Sequence, residues 1–143
     1  MAEEELERRI KEKIRSIPDY PKKGIIFRDI TPLLRDYETF NLCVEAIAKE
    51  YRGKADYVAG IEARGFIIGA AVAKAMGAGF IPVRKKGKLP FETISETYKL
   101  EYGEETLQVH TDAVKKGDRV LVVDDLIATG GTAKAACNLI ERL

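Results

Sequence analysis

The chain has 143 residues, of which 45% are hydrophobic and 33% charged, a balance that predicts one globular domain with a single core. Because 24 lysines and arginines stand against 23 aspartates and glutamates, the formal charge of +1 gives no support to a nucleic-acid-binding role. No apolar run approaches the roughly 20 residues that a membrane helix needs, so we expect no membrane partner.

The cysteines and the N-terminus predict a cytoplasmic protein. Cys43 and Cys137 each lie in an apolar helical pattern without a Cys or His at metal-ligand spacing, which is typical of reduced core thiols. The N-terminal sequence MAEEELERRIKEK is charged throughout and is unlike a secretory signal peptide. His110 is the single histidine, so a site with two histidine ligands is excluded.

The first third of the chain has two helical patterns. An apolar stripe predicts an opening helix, formed by Leu6, Ile10, Ile14 and Ile17. Pro18 and Pro21 are expected to end this helix, and a short apolar stretch follows at residues 24–27. A second helix is predicted from about Glu38 to Tyr51.

The middle of the chain alternates strand and helix patterns. Residues 57–61 predict a strand, residues 66–76 an apolar helix ended by Gly77, and residues 80–83 a second strand. The next stretch, residues 84–90, is basic and lacks core periodicity, so it predicts a mobile loop.

The last third predicts a hairpin, a buried strand and a helix. Two alternating segments, residues 97–102 and 106–110, flank Gly103 and favour the hairpin. Residues 119–123 form an apolar strand, and a helix begins near Gly131. Strands that alternate with helices indicate an α/β fold with a largely parallel sheet.

The final helix has no terminating signal and no strand after it. Its apolar residues keep helical spacing up to the last position, and they are Ala136, Leu139, Ile140 and Leu143. Because the alternation of strand and helix stops there, we expect the chain to lack a further C-terminal strand.

The segment VLVVDDLIATGGTA, residues 120–133, carries the clearest chemistry. Ligands of open α/β sheets bind beyond the carboxyl ends of the strands, and Asp124 and Asp125 stand at such an end. Their carboxylates can accept hydrogen bonds from a sugar diol. The following loop can present backbone N–H groups at a helix N-terminus to a phosphate, through Ala128, Thr129, Gly130, Gly131 and Thr132. The plain structural alternative is a solvated turn.

This segment resembles the signature of the type I phosphoribosyltransferases, which bind 5-phosphoribosyl-1-pyrophosphate (PRPP). The resemblance implies that Asp124 and Asp125 hold the ribose hydroxyls and that residues 128–132 hold the 5-phosphate. It also implies a mostly parallel central sheet flanked by helices, with a small hood and a flexible flap hairpin. We expect one domain over residues 1–143, with the hood at about 1–35 and the flap at about 84–110.

Further segments are similar to the adenine branch of that family. Residues 60–66, GIEARGF, resemble the pyrophosphate loop, with Arg64 as a catalytic pyrophosphate contact and a cis peptide at Glu62–Ala63. The structural alternative is that Arg64 only neutralises a helix start. The resemblance also implies pyrophosphate contacts in the basic stretch, from Arg84, Lys85 and Lys88. The alternative for that stretch is a solvated basic loop.

Two more segments would recognise the base. The sequence FRDITP, residues 27–32, resembles part of the hood, although Thr31 and Pro32 also fit a helix N-cap followed by its first position. The implied adenine contacts are Ile26, Phe27, Arg28 and Leu126. The sequence YKLEYG, residues 98–103, resembles the flap, with Glu101 as the catalytic acid/base and Tyr102 as a flap contact. From pattern alone, Glu101 reads as an exposed strand residue.

The resemblance implies purine salvage by a homodimeric transferase. Its substrates are adenine and PRPP, its products AMP and pyrophosphate, and its cofactor Mg²⁺, which PRPP mainly carries and which Asp124 or Asp125 could also bind. Three alternatives stay open. The first is a 6-oxopurine such as xanthine or hypoxanthine as the base, the second is a non-catalytic PRPP-binding regulator, and the third is an incomplete domain.

Overall fold

The computed structural model describes residues 1–100 and 102–143. Within these ranges the elements in chain order are α1 (Glu3–Glu12), β1 (Arg15–Pro18), β2 (Ile26–Asp29), α2 (Thr31–Arg35), α3 (Tyr37–Tyr51), β3 (Tyr57–Ile61), α4 (Arg64–Met76), β4 (Gly79–Lys85), β5 (Thr93–Lys99), β6 (Glu104–His110), β7 (Val120–Val123) and α5 (Gly131–Glu141). The chain divides into two compact units, Met1–Ile47 and Ala48–Leu143.

In the first unit, strand pairing replaces part of the predicted opening helix. The helix α1 ends at Glu12, and the prediction that its stripe continues through Ile14 to Ile17 is wrong. The backbone of Arg15–Pro18 instead pairs antiparallel with β2, with Ile17 opposite Phe27. Non-local hydrogen bonds to β2 outweigh the local helical periodicity here, because a strand pair satisfies the same backbone groups.

The helix α2 begins at Thr31 with Pro32 in its first turn. Because the helix begins at Thr31, the cap position is Ile30, whose side chain makes no capping bond, and the alternative of Thr31 as the cap is wrong. The backbone N–H of Thr31 donates to Oδ1 of Asp29 at 3.0 Å. A carboxylate near a helix start satisfies a free N–H and favours the positive end of the helix dipole.

The second unit is a five-stranded sheet in the order β5-β6-β4-β3-β7. Its centre is parallel, because β3 pairs with β4 on one side and with β7 on the other. The β5–β6 hairpin joins the edge of β4 in antiparallel pairing. This arrangement confirms the predicted α/β fold with its central parallel strands and hairpin.

The core of the second unit forms between this sheet and α5. Its buried members are Ala59, Ile61, Ile81, Val83, Leu107, Val109, Ala135, Ala136 and Leu139. Burying one of the Ile, Leu or Val side chains stabilises a fold by about 1.5–3 kcal/mol. Ala135 and Ala136 lie on α5, so the helix that follows the loop at residues 124–130 packs against the sheet.

Part of the predicted basic loop is strand. Arg84 pairs with Gln108 and Lys85 with Leu107, so β4 extends through Lys85 and the prediction of a loop from Arg84 is wrong for these two residues. The paired residues of β6 lie more than 20 positions later in the chain, and local sequence patterns do not predict this pairing. Among the described residues, no helix combines the length and the apolar character that crossing a bilayer requires.

Candidate active site

The ends of two neighbouring parallel strands form the base of the site. Gly60 of β3 lies opposite Val123 of β7, so the segments that follow both strands leave the sheet side by side. Gly65 makes their close approach feasible, because a Cβ at this position would lie 3.0 Å from the Val123 carbonyl oxygen and 3.1 Å from Oδ1 of Asp124. A residue with a larger side chain would push the start of α4 away from the acidic pair.

The acidic pair is held by contacts within the second unit. Nε of Arg64 lies 2.9 Å from Oδ2 of Asp125, whose side chain is only 9% exposed. No N–H of the described residues is aligned to donate a hydrogen bond to that oxygen, so the contact with Arg64 is an ion pair. The backbone N–H of Asp125 donates to Oδ1 of Asp124 at 2.8 Å. The loop that follows β3 and the acidic pair therefore form one charged cluster.

Asp124 has a strongly perturbed carboxyl group. Burial and the neighbouring Asp125 carboxyl group raise the pKa of Asp124 to about 7, although the Asp125 backbone N–H and the charge of Arg64 act in the opposite direction. A pKa shift of this size is found more often at functional sites than at ordinary surface carboxyl groups. The pair therefore carries less negative charge near neutral pH than two isolated aspartates would carry.

A cavity of about 330 Å³ lies over this cluster. Its lining combines the loop after β3, the end of β4, the hairpin and the segment after β7. Its members are Ile61, Glu62, Ala63, Arg64, Lys85, Tyr98, Leu100, Glu105, Leu107, Asp124, Asp125, Leu126 and Thr132. The structure thus brings together site residues that the sequence places up to about 70 positions apart.

A smaller cup of about 80 Å³ forms where the chain turns into α5. It is lined by the run from Leu126 to Ala133, and Gly130 has a left-handed backbone with φ of 88°. The backbone N–H of Gly131 donates to Oγ1 of Thr129 at 3.4 Å. A short loop at a helix N-terminus, with hydroxyls and backbone N–H groups around a small cup, suits a phosphate group.

Glu62 forms a second ion pair at the cavity wall. Its Oε1 accepts hydrogen bonds from Nε of Arg84 at 3.1 Å and from the backbone N–H of Lys85 at 2.9 Å. Burial acts to raise the pKa of Glu62, but these two donors hold it below its ordinary value. The peptide bond from Glu62 to Ala63 is cis, which confirms the expectation for this loop.

Several predicted residues lie elsewhere or cannot be placed. Glu101 lies outside the described residues. Tyr102 is 84% exposed. Arg84 and Lys88 are not among the cavity-lining residues of the described chain. The Arg84 side chain instead donates hydrogen bonds from Nε to Oε1 of Glu62 and from Nη1 to the Lys88 carbonyl.

The predicted hood residues belong to the first unit. There the Arg28 guanidinium donates to the Ser16 hydroxyl across the β1–β2 pair. The ring of Phe27 contacts Tyr20 edge to face, with ring centres 5.3 Å apart. Ile26 is 55% exposed, and in the second unit Leu126, the remaining predicted base contact, is 50% exposed.

Comparisons with known proteins agree on one family. A family model described as a phosphoribosyl transferase domain matches residues 38–143. The adenine phosphoribosyltransferase of Methylorubrum populi is 60% identical over 135 residues, which are 94% of this chain and 75% of the relative. That of Parvibaculum lavamentivorans is 63% identical over 134 residues, 93% of this chain and 77% of the relative. This chain belongs to the adenine phosphoribosyltransferase family.

Solved structures of the family share the fold. The crystal structure of the Thermoanaerobacter pseudethanolicus adenine phosphoribosyltransferase matches with a TM-score of 0.91 and 56% identity, over 96% of this chain and 80% of that one. The Saccharomyces cerevisiae enzyme, solved with an imino-altritol bisphosphate and adenine, matches with a TM-score of 0.92 and 39% identity, over 98% and 82% of the two chains.

Sequence reasoning missed two contacts of this phosphoribosyltransferase site. One is the ion pair of Glu62 with Arg84, and the other is a hydrogen bond in which the Thr132 hydroxyl donates to the Tyr98 hydroxyl at 3.0 Å. A signal for Tyr98 exists in the sequence, because this aromatic residue stands between polar Thr97 and Lys99 in an alternating pattern. No sequence signal identifies its partner.

Proposed function

We propose that this chain transfers the 5-phosphoribosyl group from PRPP to adenine, giving AMP and pyrophosphate, in purine salvage. The observation that carries the proposal is the juxtaposition of the Arg64–Asp125 ion pair with the phosphate-sized cup at the start of α5, on one cavity wall. Relatives at about 60% identity bear the name of this activity.

The ribose and its 5-phosphate would bind at the carboxyl end of β7. Asp124 and Asp125 would accept hydrogen bonds from the ribose hydroxyls, and their place in the cavity lining supports this role. Ala128, Thr129, Gly130, Gly131 and Thr132 line the adjoining cup and would hold the 5-phosphate. Positioning of this kind lowers a barrier by up to about 7–11 kcal/mol in favourable cases.

The pyrophosphate would lie against the loop that follows β3. As it leaves, positive charge develops on the ribose carbon and negative charge on the leaving oxygen. Arg64 and Lys85 line the cavity and supply positive charge there. Arg84 and Lys88 would contribute from the same basic stretch, with Glu62 holding Arg84 in place through its 3.1 Å ion pair.

The base would be recognised by the hood and by the hairpin. Ile26, Phe27 and Arg28 are the proposed adenine contacts of the first unit, and Leu126 is the proposed contact beside the acidic pair. Glu101 is the proposed acid/base at the purine N7 while N9 attacks, a role in which a positioned carboxyl contributes roughly 10²–10⁴-fold. Tyr102 would be its neighbour in the flap.

A magnesium ion fits the donors of this site when the substrate supplies most of its ligands. No group of three or more His, Cys, Asp or Glu side chains that could hold a metal is found among the described residues. Asp124 and Asp125 offer the carboxylate oxygens that Mg²⁺ prefers, and Oδ2 of Asp125 accepts no aligned hydrogen bond from a described N–H. Mg²⁺ would neutralise charge on the leaving pyrophosphate.

We further propose that the protein acts as a homodimer in the cytoplasm. The support for a cytoplasmic location is the presence of two free cysteines, Cys43 and Cys137. The support for the dimer is the resemblance of the basic stretch around Arg84 to family segments that meet pyrophosphate in the same or the partner subunit. Sedimentation of the purified chain would test the dimer directly.

A competition assay tests the choice of base. The chain is incubated with PRPP, Mg²⁺ and equal concentrations of adenine, hypoxanthine and xanthine, and the nucleotides formed are separated and quantified. We expect AMP as the dominant product. A dominant 6-oxopurine nucleotide would contradict the adenine assignment while supporting phosphoribosyl transfer. Binding of PRPP without any nucleotide product would favour the alternative of a non-catalytic PRPP-binding regulator.

A further inference from the structure

The strand β5 carries one aromatic side chain into the cavity wall. Tyr98 lies on the same side of β5 as Ile94 and Glu96, and its ring packs against the core of the second unit. The ring is therefore held by burial, and its hydroxyl reaches the phosphate-loop side of the cavity, where it accepts a hydrogen bond from Thr132 Oγ1 at 3.0 Å.

Thr132 is the second residue of α5 and lines both the cavity and the phosphate cup. The Tyr98 ring also lies beside the turn itself, because a Cβ at Gly131 would be 3.6 Å from its Cδ2 atom. One side chain thus contacts the phosphate loop through a hydroxyl and through van der Waals packing. Both contacts lie at the point where α5 begins.

The same strand is fastened to α5 farther along the helix. Nδ2 of Asn138 donates to Oε2 of Glu96 at 3.1 Å. Nη1 of Arg142 donates to the Ser95 carbonyl at 2.7 Å and to Oε1 of Glu96 at 3.2 Å. These bonds tie the C-terminal half of α5 to β5, and the Tyr98–Thr132 hydrogen bond ties its first turn to the same strand.

We propose that Tyr98 is a positioning residue for the 5-phosphate site, acting through the Thr132 hydroxyl. A hydroxyl offers one donor and two acceptor positions. When a phosphate occupies the cup, the Tyr98 O–H donates to Thr132 Oγ1 across the same oxygen–oxygen distance, and the Thr132 hydrogen turns to the phosphate. Tyr98 thereby holds the Thr132 oxygen in the orientation that binding requires. The inference rests on the proposed function of the loop.

The expected signature is a loss of affinity at the phosphate end with little change in turnover. Tyr98→Phe removes only the hydroxyl and keeps the ring in the core. Because a neutral hydrogen bond changes an equilibrium by about three- to ten-fold, we expect the KM for PRPP and the Kd for ribose 5-phosphate to rise by that factor. The value of kcat and the KM for adenine should stay within about twofold.

A double-mutant cycle with Thr132→Val tests whether Tyr98 acts on phosphate affinity through the Thr132 hydroxyl. If Tyr98 acts through Thr132, Tyr98→Phe should have no further effect on ribose 5-phosphate affinity once the Thr132 hydroxyl is gone. Tyr57→Phe is the matched control, since it removes a hydroxyl from a half-buried tyrosine of β3 and should leave all constants unchanged. Additive losses in the cycle, or an unchanged Kd in Tyr98→Phe, would overturn the proposal.

Two further substitutions separate positioning from folding. Tyr98→4-methylphenylalanine fills the space of the hydroxyl without its hydrogen bond and should reproduce the loss. Tyr98→4-aminophenylalanine keeps a hydrogen-bonding group and should restore most of the affinity. Equal affinity of these two variants would contradict the proposal even if Tyr98→Phe folded poorly. Failure of the wild-type chain to form AMP would instead count against the proposed function. The double-mutant cycle would still test the role of Tyr98, because it measures the Kd for ribose 5-phosphate and needs no turnover.

Discussion

The β3–β7 side of the cavity and the tip of the hairpin differ in how far their side chains are exposed. On the side of β3 and β7, the Asp125 side chain is 9% exposed and lies in an ion pair with Arg64. On the hairpin side, Leu100 is 45% exposed and Tyr102 is 84% exposed. The first region has its charges arranged before substrate arrives, while the hairpin end has exposed side chains that a bound substrate could cover. We therefore expect substitutions in the first region to act on PRPP, and those at the tip of the hairpin, beyond Tyr98, to act on the chemical step.

The largest effect is expected from the acidic pair. Asp125→Asn removes the charge that faces Arg64 and the proposed ribose contact, and it leaves the guanidinium near a neutral amide. We expect kcat/KM for PRPP to fall about 10³-fold, measured by AMP formation, as is typical when a preorganised charge is lost. Asp112→Asn, at an exposed position after β6, is the matched control. Near-wild-type turnover in Asp125→Asn would refute the role of this residue.

A smaller effect on a different constant is expected at the hairpin end. Glu101→Gln should lower kcat about 10²-fold, because an amide cannot exchange the proton at the purine N7. The KM for PRPP should change little, in contrast to the acidic pair. Glu104→Gln, at the exposed start of β6, provides the control. If Glu101→Gln raised the KM for PRPP and left kcat intact, the division between the two regions would be wrong.

An intermediate case is the ion pair that links the two segments of the proposed pyrophosphate site. Glu62→Gln weakens the hold on Arg84 and on the Lys85 N–H, and the Glu62 side chain is only 10% exposed. We expect the KM for PRPP to rise about tenfold and the free energy of unfolding to fall by about 1.5–3 kcal/mol. Glu50→Gln, exposed on α3, should change neither quantity. A variant with unchanged melting temperature and KM would show that the pair is incidental.

The smallest effect is a pH dependence of stability. The folded-state pKa of Asp124 is raised to about 7 from 3.8, so between these values the folded chain binds more protons than the unfolded chain. The contribution of this group to stability therefore falls as pH rises from about 4 to about 7 and is constant outside that window. Since the group is half exposed, we expect at most about 2 kcal/mol.

Asp124→Asn tests this dependence, because an amide does not titrate. Urea unfolding of the wild-type chain and the variant at pH 5 and pH 8 should show that the variant gains stability relative to wild type at the higher pH. Asp112→Asn, again the control, should leave the difference between the two pH values as in wild type. A variant whose stability tracked wild type at both values would contradict a raised pKa.

The sequence predicts this site better where its chemistry is local. Residues 120–133 hold a strand, two acids, a glycine turn and a helix start in one continuous run, and each part has its own local signal. The extent of α1 was predicted wrongly because the pairing of β1 with β2 is not encoded in helical periodicity. The contacts of Glu62 with Arg84 and of Tyr98 with Thr132 join segments 22 and 34 positions apart, so only the fold reveals them.

The most direct test of the account is AMP formation by the 143-residue chain itself. A sample shown to be folded by circular dichroism is mixed with labelled adenine, PRPP and Mg²⁺, and AMP and pyrophosphate are quantified together. The account predicts both products in equal amounts, with the kcat/KM for PRPP about 10³-fold lower in Asp125→Asn. A folded wild-type sample that binds ribose 5-phosphate but forms no AMP would contradict the central claim.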